Sequence, residues 1–225
     1  LALHFCCRNH IIRMMRAQRL SKVPKKRRKR PLDMEGLSDF RLLLTALIPM
    51  IPAFLLYSRT KTIVEKPILI SLMLLINGLI LYIPQYLPGC NKESGAMTRI
   101  DALLAGLGGA AATLPGISCV GASVSIAGVR GMEPKKALNL ALLMNIPLNL
   151  GFALFDFVDL LNNGGGSLSF GALLRAIFAG AAAFVGIILG VRLLKKIAES
   201  LDYSVFGLYS WGMALLSFIL FLAAV

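Results

Sequence analysis

Charge is sparse in this sequence: Asp, Glu, Lys and Arg make up 16% of its 225 residues, against 57% hydrophobic residues. Such a balance excludes an ordinary water-soluble domain and leaves several apolar runs near the roughly 20 residues that span a hydrocarbon core. Cysteine is as thin. Cys6, Cys7, Cys90 and Cys119 form no disulfide framework, and neither they nor His4 and His10 have zinc-ligand spacing, which excludes a cysteine metal centre. No aromatic residue lies between Arg8 and Arg30, the most basic stretch, so nothing there can stack on bases. The net charge of +13 therefore does not point to nucleic acid.

What is present is a set of membrane segments. Residues 40–57, 67–86, 137–161, 171–194 and 203–225 are five apolar runs, and 100–129 is a sixth, interrupted in its middle. Pro49 and Pro52 should bend the first. Eleven of the 24 basic residues fall between Arg8 and Arg30, a pattern that reads as a cytoplasmic loop under the positive-inside rule. Residues 1–7 lack the order of a signal peptide and read as the stub of a helix whose beginning is missing, or as a surface-lying start. The expected class is all-α: a polytopic membrane helical bundle. Residues 1–38 form its basic cytoplasmic loop and 39–225 its membrane domain.

Loop charge then sets the topology. Residues 130–136 and 192–199 carry basic excess and belong inside, whereas 162–170 carry no charge and belong outside. Residues 100–129 must start and finish on the cytoplasmic side, which a single crossing cannot do. A re-entrant hairpin at 100–130 resolves the parity: 101–114 enter, Pro115-Gly116 turns, and 118–129 leave. Gly106, Gly108, Gly109 and Ala110 to Ala112 let the two arms approach closely. Irregular backbone at membrane depth must be buried in protein or line a cavity, so residues 114–123 are the first place to look for a site.

The order of residues there carries a resemblance. Asp101-Ala102-Leu103-Leu104-Ala105-Gly106-Leu107, followed by Leu114-Pro115-Gly116-Ile117-Ser118, resembles the bacterial undecaprenyl-diphosphate phosphatase family, the bacitracin-resistance proteins. Their second signature reads Pro-Gly-x-Ser-Arg-Ser-Gly-Ala-Thr. Pro115, Gly116, Ser118, Gly121 and Ala122 match it, and Ser123 stands for its Thr. Ile51-Pro52-Ala53 and the apolar helix around Pro147 resemble further family segments. The resemblance implies a bundle of two inverted repeats, each with a re-entrant hairpin, of which this chain holds one complete half and one truncated half. It also implies a bacterial plasma-membrane enzyme that cleaves undecaprenyl diphosphate to the monophosphate in recycling the cell-wall lipid carrier. A divalent cation, Mg or Ca, is the cofactor it implies, with no ligands identifiable in this chain. The partners are the polyprenyl-diphosphate lipid and the bilayer, and oligomeric state has no signal.

Two departures stand out. The signature's Arg falls at Cys119 and its second Ser at Val120, while the family's preceding Gln falls at Gly109. A thiol cannot replace the planar guanidinium fork that grips phosphate oxygens. The family's first signature, a Glu-x-x-x-Glu with a Pro-Val-Ser-Ser turn, has no counterpart; Glu35 and Glu65 stand alone. These losses keep a second reading open: a non-catalytic polyprenyl-phosphate binder or transporter on the same scaffold.

Ser118 is the catalytic candidate, as phosphate ligand or nucleophile, and equally the N-cap of the arm that follows. Pro115, Gly116, Ile117, Cys119, Gly121 and Ser123 are the expected substrate-binding residues, with Cys119 also readable as a packed small residue. Asn145, Asn149 and Asp156 share a polar helical stripe, either an interfacial cap or a cation or substrate site. Arg175 reads as a snorkelling headgroup contact or as a replacement for the lost guanidinium.

Overall fold

A computed structural model describes residues 2–24, 27, 31–55, 57, 60, 66–86, 97–162, 170–197 and 204–224. Expectations for residues 25, 26, 28–30, Cys90, the uncharged stretch 163–169 and Glu199 lie outside these. Nine α-helices and no strand occur among the described residues. They are α1 (Ala2–Ser21), α2 (Met34–Leu47), α3 (Met50–Leu55), α4 (Pro67–Tyr82), α5 (Arg99–Ala110), α6 (Cys119–Val129), α7 (Pro134–Asn162), α8 (Phe170–Ile197) and α9 (Ser204–Ala224). Of these, α7, α8 and α9 are long and apolar enough to cross a membrane. The all-α expectation holds.

A helix, a break and a second helix occupy the residues where the hairpin is expected. Thr98 caps α5 in a reciprocal box with Asp101, and Ser118 caps α6 by accepting the Gly121 N–H at 3.1 Å. Between them lie a 3₁₀ turn, Ala111–Thr113, and the break at Pro115-Gly116. Gly116 has φ of +98°, a conformation that an L side chain rarely adopts. The arms run antiparallel: Gly108 abuts the Ala122 carbonyl, Gly109 faces Ser123 and Cys119, and Arg130 closes the base on Asp101. Gly106 serves a different contact from the one expected. Its missing Cβ lets the backbone of Ala46 in α2 sit against α5.

The hairpin turn packs partway along α4. Gly116 packs on Met73 and Leu74 of α4, while Trp211 of α9 donates its indole N–H to the Leu75 carbonyl at 3.2 Å. From Trp211, α9 runs on to Ala224, about 20 Å further. The core beneath the hairpin includes Ala46, Ala102, Ala105, Leu138, Ala141, Leu142 and Met144.

Three expectations need correction. Residues 8–21 are helix, not loop: Arg, Gln, Met and Leu propagate helix well, and Cys7, Met14 and Ala17 bury one face against α2, α7 and α8. Residues 40–57 are not one bent span. The helix starts earlier, at Met34, capped by Asp33, and breaks at Ile48-Pro49 before α3. The basic residues Arg192, Lys195 and Lys196 lie within the last turns of α8, where cations complement the helix dipole, rather than in a connection.

Candidate functional site

The break between α5 and α6 opens onto a cavity of about 380 Å³ bounded by α4, α6 and α9. Gly116, Ile117, Ser118 and Gly121 line it from the hairpin, Asn77 from α4, and Tyr209 and Ser210 from α9. Ser118 itself is exposed. Its Oγ holds the Gly121 N–H and its carbonyl holds the Ala122 N–H at 2.9 Å, so the N-cap role is real. Cys119 and Val120 then supply the first amides of α6, which have no acceptor inside the helix.

Asn77 was not among the sequence candidates. It is 4% exposed in the middle of an apolar helix, and both ends of its amide are engaged. Its Oδ1 accepts the Ser118 N–H at 2.9 Å, and its Nδ2 donates to Ser210 Oγ at 2.8 Å. The signal was there in principle: a lone Asn in an apolar run must find partners or face several kcal/mol of unmet polarity, on the order of 2–7. Which partners it found could not be read from one segment.

Three expected substrate contacts do not line this cavity. Cys119 and Ser123 are buried on the opposite face of α6, towards Gly109 and Met50 of the α3–α5 side. Pro115 shapes the turn but is likewise absent from the lining. The helical period explains it: 117, 118, 120, 121 and 124 share one face, while 119 and 123 turn inward.

The polar stripe on α7 divides. Asn145 and Asn149 line a second cavity of about 610 Å³ with His4, Gly190 and Val191, and Asn149 Nδ2 donates to Asn145 Oδ1 at 2.7 Å. Val120 and Leu194 border both cavities. Asp156 is elsewhere, accepting a long 3.5 Å bond from Tyr57 Oη beside the stacked rings of Phe54, Tyr57 and Phe152. Arg175 donates to the Gly171 carbonyl of its own helix and reaches neither cavity.

No charged side chain lines the Ser118 cavity among the described residues, and no group of three His, Cys, Asp or Glu could hold a metal there. The donor set does not fit a divalent cation. Its chemistry is that of neutral hydrogen-bond donors: two serine hydroxyls, the Tyr209 phenol and helix-start amides, beside an apolar wall.

Comparison with known proteins agrees with this frame. The chain is 35% identical over 135 residues to undecaprenyl-diphosphatase 1 of Halalkalibacterium halodurans, covering 58% of this chain and 49% of that protein. It is 28% identical over 166 residues to the undecaprenyl-diphosphatase of Halothermothrix orenii, covering 73% and 60%. A Nocardioides undecaprenyl-diphosphatase is 28% identical over 181 residues, covering 79% and 65%. The chain thus spans about half to just under two thirds of the curated relatives it matches. A family model described as bacitracin resistance protein BacA matches residues 1–216. With nearly the whole chain inside that match and the hairpin in place, the protein belongs to the BacA bacitracin-resistance family.

Proposed function

We propose that the protein is an integral membrane phosphatase that hydrolyses undecaprenyl diphosphate to undecaprenyl phosphate, in a multi-pass bacterial plasma-membrane setting with its basic face cytoplasmic. The observation that carries the reading is the Ser118 turn: a capped, re-entrant break whose hydroxyl and amides face a cavity with an apolar wall. Relatives named undecaprenyl-diphosphatase support the enzyme over the binder or transporter.

The residues divide the work by chemistry. The polyprenyl chain lies along the apolar wall of Leu74, Leu81, Val124 and Phe206, and the head group meets Ser118 and the amides of Cys119 and Val120. Ser118 Oγ already accepts an N–H, so its proton is left to donate to a phosphoryl oxygen. Among the described residues no carboxylate or imidazole lines the cavity to take that proton, which favours Ser118 as an oxygen ligand rather than an attacking nucleophile. The cationic grip of the family signature is not at Cys119, whose side chain turns away from the cavity. A divalent cation is what the family resemblance implies, and none of the described side chains lining this cavity is suited to hold one.

The test is inorganic phosphate release from undecaprenyl diphosphate by purified protein in detergent, beside Ser118→Ala. Loss of one donor aimed at developing negative charge should slow turnover about 100-fold. Release by the unaltered protein no faster than by Ser118→Ala would overturn the assignment.

A further inference from the structure

Ser118 is not alone in facing the cavity with a free hydroxyl proton. Ser210 of α9 is 5% exposed, lines the same cavity and accepts the Asn77 Nδ2–H, so its hydroxyl, like that of Ser118, keeps its proton to donate. Asn77 joins the two. Its Oδ1 fixes the Ser118 backbone and its Nδ2 fixes the Ser210 side chain, so one amide sets both hydroxyls. The amide orientation is unambiguous, because exchanging its O and N would place an NH2 group against the Ser118 N–H.

The helices that carry this chain are locked together around it. Gly78, the next residue after Asn77, leaves the space filled by the Trp211 indole, and Gly207 rests its Cα against the Gly78 carbonyl. Tyr82 stacks on Trp211 with ring centroids 5.2 Å apart. Asn77 and Ser210 therefore cannot drift independently, which is the condition for a preorganised donor.

We propose that Ser210 is a second ligand-binding residue, donating its hydroxyl to a phosphoryl oxygen of the lipid head group, and that Asn77 is the positioning residue that aims both serines. The proposal rests on the reading of the cavity as a polyprenyl-phosphate site, but not on hydrolysis. It gives the hairpin, which contributes Ser118, a partner on α9, so that head-group recognition joins the two elements across α4.

Trp211 is the chain's one tryptophan and adjoins Ser210, which provides a built-in reporter. Its fluorescence is titrated with undecaprenyl phosphate, which needs no turnover, and separately with undecaprenol, in the whole chain reconstituted in nanodiscs. A hydrogen bond from a neutral donor to a charged oxygen corresponds to about a tenfold change in affinity or more. Ser210→Ala should weaken undecaprenyl phosphate about tenfold and leave undecaprenol unchanged, while Ser210→Thr, which keeps the hydroxyl, should stay within about threefold. Asn77→Leu should weaken phosphate binding to a similar degree, and combining it with Ser210→Ala should add little, because the two act as one unit. Unchanged phosphate affinity in Ser210→Ala, or equal losses for phosphate and alcohol, overturns the proposal. Normal binding with the predicted losses but no phosphate release from the diphosphate sinks the phosphatase reading alone. No binding of either lipid sinks both.

Discussion

Single residues at the hairpin break decide what the site can do. Gly116 has positive φ, and a Cβ there would stand 3.1 Å from the Met73 Cβ, so Gly116→Ala meets both backbone strain and a crowded neighbour. The expected cost is about 1–2 kcal/mol, read as a lower thermal midpoint in detergent, with a loss of ligand binding if the turn moves Ser118. The position of the break was legible in the sequence because Pro115-Gly116, with Ser118 two residues on, has few conformational solutions. The direction each side chain takes was not. Residues 119–129 are small or apolar all round, so the sequence contains no asymmetry to say that 118 and 121 face the cavity while Cys119 and Ser123 face α5. Asn77 was missed for a related reason: its meaning lies in Ser118 and Ser210, 41 and 133 residues away.

At the scale of elements, the hairpin is held at both ends by different forces. Its turn is tied by the Asn77 amide, and its base by an ion pair between α5 and the end of α6. Arg130 Nε donates to Asp101 Oδ1 at 2.8 Å, while Thr98 N–H and Oγ1 donate to Asp101 Oδ2 at 3.0 and 2.8 Å. Asp101 is fully buried, so removing Arg130 takes its guanidinium from a buried carboxylate and should cost about 3 kcal/mol. Arg130→Ala should therefore lower the thermal midpoint more than any exposed Arg→Ala on α1, measured in the same detergent. Asp101→Asn combined with Arg130→Ala should recover part of the loss, since the buried charge is gone. The existence of α4, α7, α8 and α9 followed directly from apolar runs of adequate length. The break between α2 and α3 was half legible: Pro49 and Pro52 announced a bend, but a full break at Ile48-Pro49, and the packing of Ala46 on Gly106 just before it, were not announced.

On the scale of the whole molecule, the basic amino-terminal region is a packed helix, and its docking is electrostatic as well as apolar. Arg13 of α1 donates to Asp33 at 2.6 Å and to Glu35 at 2.7 Å, both at the start of α2. The sequence counted Arg13 as one charge in a topogenic block, because charge runs ordinarily face water and their partners lie elsewhere in the chain. Hydrogen bonding to Arg13 holds both carboxyls below their usual range, whereas burial pushes the nearby Asp39, 3.5 Å from His10, in the opposite direction. A carboxyl with a depressed folded pKa contributes stability that is fully present above its unfolded value, near 4, and is lost as pH falls through the folded value. Asp39 has the reverse sign: its burial penalty grows as pH rises and the carboxyl ionises. The α1–α2 contact should therefore weaken on acidification below about pH 4, partly offset by relief at Asp39. Arg13→Gln separates the two, since it releases Asp33 and Glu35 while leaving Asp39 and His10 in place. Thermal midpoints measured from pH 7 to pH 3 should fall less steeply in Arg13→Gln than in the unaltered chain, and the two curves should converge at the acid end. Parallel curves across that range would show that the Arg13 ion pairs contribute nothing to holding α1 on the bundle.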